Sequence, residues 1–229
     1  MSDFINTVPS IYLADYMQDY ENFVRSYDVD MVSFRQGDVL TQYGVVNNHA
    51  YFLRQGILHF LLGHEKGVKA LNFFGPGAIF PLGVRTHDYL MEYDMILEAA
   101  TDLHAYRIPY SVLGRMVTEN GDFGRDLMAE NCDFVGYMLL DTINHTFEPV
   151  LTRTCDVLYL YIMKIQPDKQ DIALSQQELA NLVGTSTSQM DRCIKTLRRM
   201  GIIETSRKHL YVLDTKELLA HCTLQMQGY

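Results

Sequence analysis

The sequence predicts an α+β chain: an N-terminal antiparallel β-roll, one long helix, and a C-terminal helical domain closed by a small hairpin. Three observations carry this reading. Short β-type runs alternate with glycine turns between Val32 and Ile108. A helical apolar pattern then runs from Asp122 to Phe147. Between Leu174 and Leu213 come a helix start, a glycine stop, a polar and basic helix, and two short strands.

The first thirty residues read as helical and weakly patterned. The β-type runs are Val32–Arg35, Gly37–Leu40, Tyr51–Leu53, Ile57–Leu62, Val68–Phe73, Ile79–Leu82, Met95–Leu97 and Leu103–Ile108. Gly63 to Gly67 reads as a hairpin loop and Gly75-Pro76-Gly77 as a tight turn. Many short strands at even spacing fit a roll or barrel. Neither G-x-G-x-x-G nor a P-loop lysine is present, so the usual nucleotide-fold fingerprints are missing. Pro109 opens a helix. The long helix from Asp122 carries Phe123, Leu127, Met128, Cys132, Phe134, Val135, Met138, Leu139, Leu140, Ile143 and Phe147. That is wider than one apolar stripe. One side can pack on the roll while the other needs a second partner, which fits a helix shared across a dimer interface. Glu148-Pro149 breaks the pattern, because proline disfavours helix at the residue before it. The expected division is 1–121, 122–148 and 149–229, with Gln166–Asp171 a polar loop.

Composition sets the bounds. Of 229 residues, 48% are hydrophobic, enough for a real core. The longest apolar run, Val157 to Met163, is far short of the ~20 residues of a membrane span, so no membrane partner is expected. The N-terminus Met1-Ser2-Asp3-Phe4 has no signal-peptide character, and Cys132, Cys155, Cys193 and Cys222 form no C-x-x-C. Free thiols in a reducing cytoplasm are the expectation. The net charge of −9 conceals an asymmetry. From Pro149 onward ten basic residues face eight acidic ones. Between Thr185 and Lys208 stand Arg192, Lys195, Arg198, Arg199, Arg207 and Lys208 against Asp191 and Glu204. Phosphate binding requires such a local basic patch, whatever the whole-chain charge.

The richest segment is LSQQELANLVGTSTSQMDRCIKTLRRMGII, from Leu174. Ser175-Gln-Gln-Glu178 reads as a capping box. Gly184 ends that helix and Ser186 caps the next, from about Thr187 to Met200. Met190, Ile194 and Leu197 face inward at helical spacing. Thr187, Ser188, Gln189, Arg192, Lys195 and Arg199 face outward. Gly201 stops the helix. Strands Ile202–Thr205 and Leu210–Leu213 follow, joined by Arg207-Lys208-His209, and Asp214 caps a last short helix. This is a winged helix-turn-helix pattern. Its second helix can enter the major groove of double-stranded DNA, and its wing brings charge to the adjacent backbone. The candidate DNA-binding residues are Thr185, Ser186, Thr187, Ser188, Gln189, Arg192, Lys195, Arg199, Arg207 and Lys208.

From Gly37 to Leu219 the chain resembles the Crp/Fnr family of transcription regulators, on that segment and on the order of roll, long helix, hinge and winged domain. The resemblance implies a cyclic-nucleotide-binding-like roll (a double-stranded β-helix), a long dimerisation helix, a homodimer, a palindromic operator and RNA polymerase as a further partner. It places the guanine-contacting arginine on Arg192 and the preceding base-reading positions on Thr187 and Ser188. Many members carry glutamate where this chain has Ser188.

The resemblance also implies a small-molecule effector between roll and long helix. Cyclic nucleotide members bind ribose through a Gly-Glu-Leu segment, which here reads Pro81-Leu82-Gly83, and phosphate through an Arg-Ser pair, which here falls on Tyr93-Asp94. Both ligands are lost. No cysteine precedes Cys132, against an N-terminal iron–sulfur cluster. No histidine stands directly after the glycine turn, as the haem members need. The expected lining is Phe80, Leu82, Tyr89, Met91, Tyr93, Met95, Met138 and Leu139, suited to a partly apolar organic molecule with no resident cofactor. The alternatives are a haem-based or other gas- or redox-sensing regulator of the same family, and an effector-independent one. No hydrolase or cupin metal pattern stands out, so no enzyme is expected.

Overall fold

The computed structural model describes residues 10–41, 47–82, 94–165, 170–206 and 209–227. They belong to two compact units, one of residues 12–135 and the other built mainly from residues 136–229. The border falls inside the long helix, whereas the sequence puts the joint at Glu148-Pro149.

In the first unit come β1 (Tyr12–Leu13), α1 (Glu21–Arg25), β2 (Asp30–Phe34), β3 (His49–Gln55), β4 (Leu58–His64), β5 (Gly67–Phe74), β6 (Ile79–Phe80), β7 (Asp94–Ala99) and β8 (Leu103–Pro109). Helices α2 (Tyr110–Glu119) and α3 (Gly121–Phe147) follow. The strands make two four-stranded sheets, ordered β1-β5-β4-β7 and β2-β8-β3-β6. The expected hairpin at Gly63–Gly67 is present, with His64 paired to Gly67.

Three expectations are corrected. The N-terminal stretch is helical only over a short turn at Gln18–Tyr20 and over α1. Instead β1 pairs parallel to β5, so the roll is not wholly antiparallel. Leu13 is fully buried there and its carbonyl accepts from Gly75 N at 2.8 Å. Burial and backbone pairing thus override a weak helical pattern. Gly37–Leu40 is not a strand; Val39 makes a single bridge to Glu98.

The core of this unit gathers Met17, Val24, Phe52, Ile79, Tyr106, Ile108, Leu113, Met116, Phe123 and Leu127. Phe123 packs on Tyr20 and Phe23, each at a ring separation of 5.3 Å. Burying one such side chain contributes roughly 1.5–3 kcal/mol.

The second unit holds the end of α3, then α4 (Val150–Lys164), β9 (Asp171–Ile172), α5 (Gln176–Val183), α6 (Thr187–Arg199), β10 (Ile203–Ser206), β11 (His209–Val212), α7 (Thr215–Ala220) and α8 (Leu224–Gln227). The small sheet is ordered β10-β11-β9. Its third strand lies where the sequence predicts only loop. Asp156 is buried on α4, where its carboxylate accepts from Asn144 Nδ2 (3.1 Å) on α3 and from Thr223 N (2.9 Å). This explains the position of the unit border: Phe123 and Leu127 of α3 pack into the roll, while Asn144 binds α4.

Gly184 adopts φ +65°, and a Cβ there would stand 2.2 Å from the His145 ring. Gly184→Ala is therefore expected to cost roughly 1–3 kcal/mol in denaturant unfolding, through the left-handed backbone and the ring's displacement. An unchanged unfolding midpoint contradicts this reading.

Candidate nucleic-acid interface

Local chemistry positions α5 and α6. Ser175 accepts from Glu178 N, and the Glu178 carboxylate accepts from Ser175 N, completing the capping box. Gly184 takes the left-handed cap, and Thr185 N donates to Ala180 O at 2.9 Å. Ser186 then caps α6, accepting from Gln189 N at 3.3 Å. Met190, Cys193, Ile194 and Leu197 are buried, and Gly201 (φ +76°) follows the helix end.

The opposite face of α6 is exposed. Thr187, Ser188, Gln189, Arg192, Lys195, Arg198 and Arg199 all lie on it, and Thr185 is half-buried at its start. No described residue pairs with the Arg192 guanidinium. Lys195 Nζ sits 2.6 Å from Asp191 Oδ2, one turn back on the same helix. Arg199 Nη2 reaches Thr196 Oγ1 at 3.4 Å. Among the described residues the face thus offers Arg192 and Arg198 without an acidic partner, while Lys195 faces Asp191.

The N-terminal hydroxyls of α6 are engaged. Thr187 Oγ1 donates to Gln177 Oε1 (2.8 Å), Thr185 Oγ1 donates to Gln189 Oε1 (2.7 Å), and Ser186 Oγ lies 3.1 Å from Ser188 Oγ. Sequence reasoning did not single out Gln177 and left Arg198 out of the candidate face, although the spacing from Arg192 and Lys195 could have found Arg198. In the wing, β10 pairs antiparallel with β11 from Ile203–Val212 to Ser206–His209. His209 Nδ1 lies 3.0 Å from Asp171 Oδ1 on β9, which ties the hairpin to the third strand. Arg207 and Lys208, expected at the wing tip, lie outside the described residues.

Of the expected effector lining, Phe80, Leu82 and Met95 belong to the first unit. Tyr89, Met91 and Tyr93 lie outside the described residues. Phe80 is buried and packed among aromatic rings: Phe74 at 4.0 Å, Phe60 at 5.0 Å and Phe134 of α3 at 5.4 Å. Leu82 and Met95 are half-buried in the same unit. Met138 and Leu139 belong to the other unit. Leu139 is 60% exposed, on a stripe of α3 with Met128, Val135, Ile143 and Phe147.

A buried acidic residue facing the roll was not foreseen. Glu130 of α3 is 2% exposed, and both its carboxyl oxygens face Ile79 N, at 3.1 and 3.2 Å. Burial pushes its carboxyl up to about 8, against the smaller opposing effect of the Ile79 amide.

Residues 152–221 match the Crp-like helix-turn-helix domain, and residues 31–120 match the cyclic nucleotide-binding domain. A transcriptional activator of Rhizobium leguminosarum bv. viciae is 26% identical over 139 residues. That stretch is 57% of this chain, and the chain spans 57% of that relative's length. A Crp/Fnr-family regulator from Eubacterium rectale superposes with a TM-score of 0.73 at 12% identity, over 89% of this chain and 93% of that one. CprK complexed with OCPA superposes with a TM-score of 0.67 at 15% identity, over 93% and 98%. No described helix is long and apolar enough to cross a membrane. With a sensor-type domain and a Crp-like DNA-binding domain in this order, the chain belongs to the Crp/Fnr family of transcription regulators.

Proposed function

We propose that the protein is a homodimeric, sequence-specific DNA-binding regulator that reads a palindromic operator and responds to a small, partly apolar organic effector. The observation that carries the DNA reading is α6. It is a capped helix whose exposed face presents Arg192, unpaired among the described residues, with further cations toward its C-terminal end. Such a helix fits the major groove, where its N-terminal side chains meet base edges. Binding of random genomic DNA in a gel shift, without preference over any selected site, contradicts the proposal.

The dimer rests on the exposed stripe of α3. Met128, Val135, Leu139, Ile143 and Phe147 are 61%, 45%, 60%, 45% and 77% exposed. Their spacings are one heptad and then successive single turns, which places them along one side of the helix, the pattern of a helix-to-helix seam. A second copy of the same helix covers such a stripe symmetrically. Half-sites one DNA turn apart, ~34 Å, then match the two-fold axis. Leu139→Asp with Ile143→Asp is expected to convert the dimer to monomer in sedimentation at micromolar concentration. It should also abolish cooperative operator binding. A double variant that remains dimeric removes α3 as the interface.

For the effector, the resemblance puts Pro81 and Leu82 where a cyclic nucleotide would need ribose ligands, and the lining it implies is aromatic and methionine-rich. The structurally similar CprK is complexed with OCPA, which supports small-molecule control on this fold. Calorimetry with cyclic AMP is expected to show no binding at submillimolar ligand; tight, saturable heat contradicts the reading.

A further inference from the structure

Two side-chain hydrogen bonds in series link α5 to the start of α6. Gln177 Nε2 donates to Asn181 Oδ1 at 2.8 Å, one turn further along α5. With Nε2 on Asn181, the Gln177 Oε1 faces α6, where it accepts the Thr187 hydroxyl proton at 2.8 Å. A threonine hydroxyl has one proton and two lone pairs. With its proton given to Gln177, Thr187 presents to anything outside only lone pairs and a methyl group. Linked hydrogen bonds of this kind polarise and reinforce one another.

In the major groove, adenine N6 and cytosine N4 are donors, whereas guanine O6 and N7 and thymine O4 are acceptors. An acceptor-only side chain can bond the first pair and not the second. We infer that Gln177 is a specificity-determining positioning residue. It holds Thr187 as a hydrogen-bond acceptor, so that the base facing Thr187 is read for an exocyclic amine. The inference rests on the proposed DNA reading by α6. Thr187 is the first residue of that helix and is exposed, which places it at the end that meets base edges. The neighbouring pair has the complementary polarity. Gln189 Oε1 accepts from Thr185, which leaves the Gln189 amide N–H groups to donate outward.

The test is selection of operators by the full-length protein from a random palindromic library, followed by competition binding at each position. The wild-type protein is expected to prefer adenine or cytosine at one symmetric position by about fivefold, the scale of one net hydrogen bond. Gln177→Ala releases the hydroxyl proton, which can then turn outward. The preference there should fall to within about twofold, while the rest of the operator is unchanged. Gln177→Glu still accepts the proton and should keep the preference, although its charge weakens every sequence alike. Thr187→Val keeps the shape of the side chain and should lose the preference as Gln177→Ala does, which covers the case of a Gln177→Ala protein that fails to fold. A wild-type base preference retained by either Gln177→Ala or Thr187→Val overturns the inference. If those two variants match wild type while Arg192→Ala loses its own base, DNA reading by α6 stands and only the role of Gln177 falls. A wild-type protein that selects no sequence overturns both.

Discussion

Arg192→Ala is expected to lower affinity for the selected operator by ~1–3 kcal/mol at each half-site and to erase the preference at one base pair. The proposed homodimer would carry two copies, so the losses would combine, and binding of the intact palindrome should fall by ~2–6 kcal/mol. The reason is geometric. Guanidinium offers two parallel donors that match guanine O6 and N7, and no described residue competes for those of Arg192. Its neighbours behave differently. Arg199→Ala should weaken all sequences alike and flatten the dependence of log affinity on log salt by about 0.9 for each phosphate that is no longer neutralised. Lys195→Ala should do less, because the lysine must first leave Asp191, 2.6 Å away. Arg192→Asn is a useful companion, since its amide matches adenine and should move the preference instead of erasing it. Fluorescence anisotropy over a salt series with single-base operator variants measures all of these. An Arg192→Ala protein with wild-type affinity and base preference shows that another element reads the DNA.

The parts of this molecule that were legible in the sequence are those whose cause is local. Ser175 with Glu178, Gly184, Ser186, Gly201 and Asp214 each act within about four residues, and all occupy the helix boundaries expected of them. The strands from β3 to β8 were legible because short apolar runs separated by glycine turns have few other solutions. What failed depends on distant partners. The two residues of β9 carry no strand signal, and exist as a strand because Ile172 pairs with Leu210. Likewise β1 is a strand because Phe73 and Phe74 are beside it. On the exposed face of α6, residue types showed which side chains point outward. They did not show which way each proton points, because the Thr187 acceptor is on another helix. For the expected effector lining, composition alone gives the weakest signal. Phe80 is one of several aromatic side chains in the roll, and composition cannot separate a ring that packs on Phe74 from one that meets a ligand.

Glu130 was half legible, and it carries the largest expected effect on stability. Phe123, Leu127, Glu130 and Phe134 recur at four-, three- and four-residue spacing, so a carboxylate stands on the apolar stripe that faces the roll. A glutamate there must be neutral, paired or hydrogen-bonded. In this molecule it is buried with one backbone donor, Ile79 N, and its carboxyl is held up at about 8. Its ordinary value in the unfolded chain is 4.5. The sign follows from proton counting. Below pH 4.5 both states hold the proton, and the stability of the neutral buried acid is fully present. Between 4.5 and about 8 the folded state keeps a proton that the unfolded state has released, so stability falls as pH rises. Each pH unit costs ~1.4 kcal/mol, and by pH 8 the loss is of the order of 4–5 kcal/mol. Glu130→Gln removes the titration while its Oε1 can still accept from Ile79 N. Chemical unfolding at pH 5 should therefore show a small difference between variant and wild type. At pH 8 the variant should be the more stable by several kcal/mol. Glu130→Ala is the contrasting case: it removes the acceptor as well, leaves the Ile79 amide unpartnered and opens space in the core, so it should be destabilised at pH 5. A wild-type protein whose stability relative to Glu130→Gln does not change between pH 5 and 8 shows that Glu130 is solvated or already paired in solution.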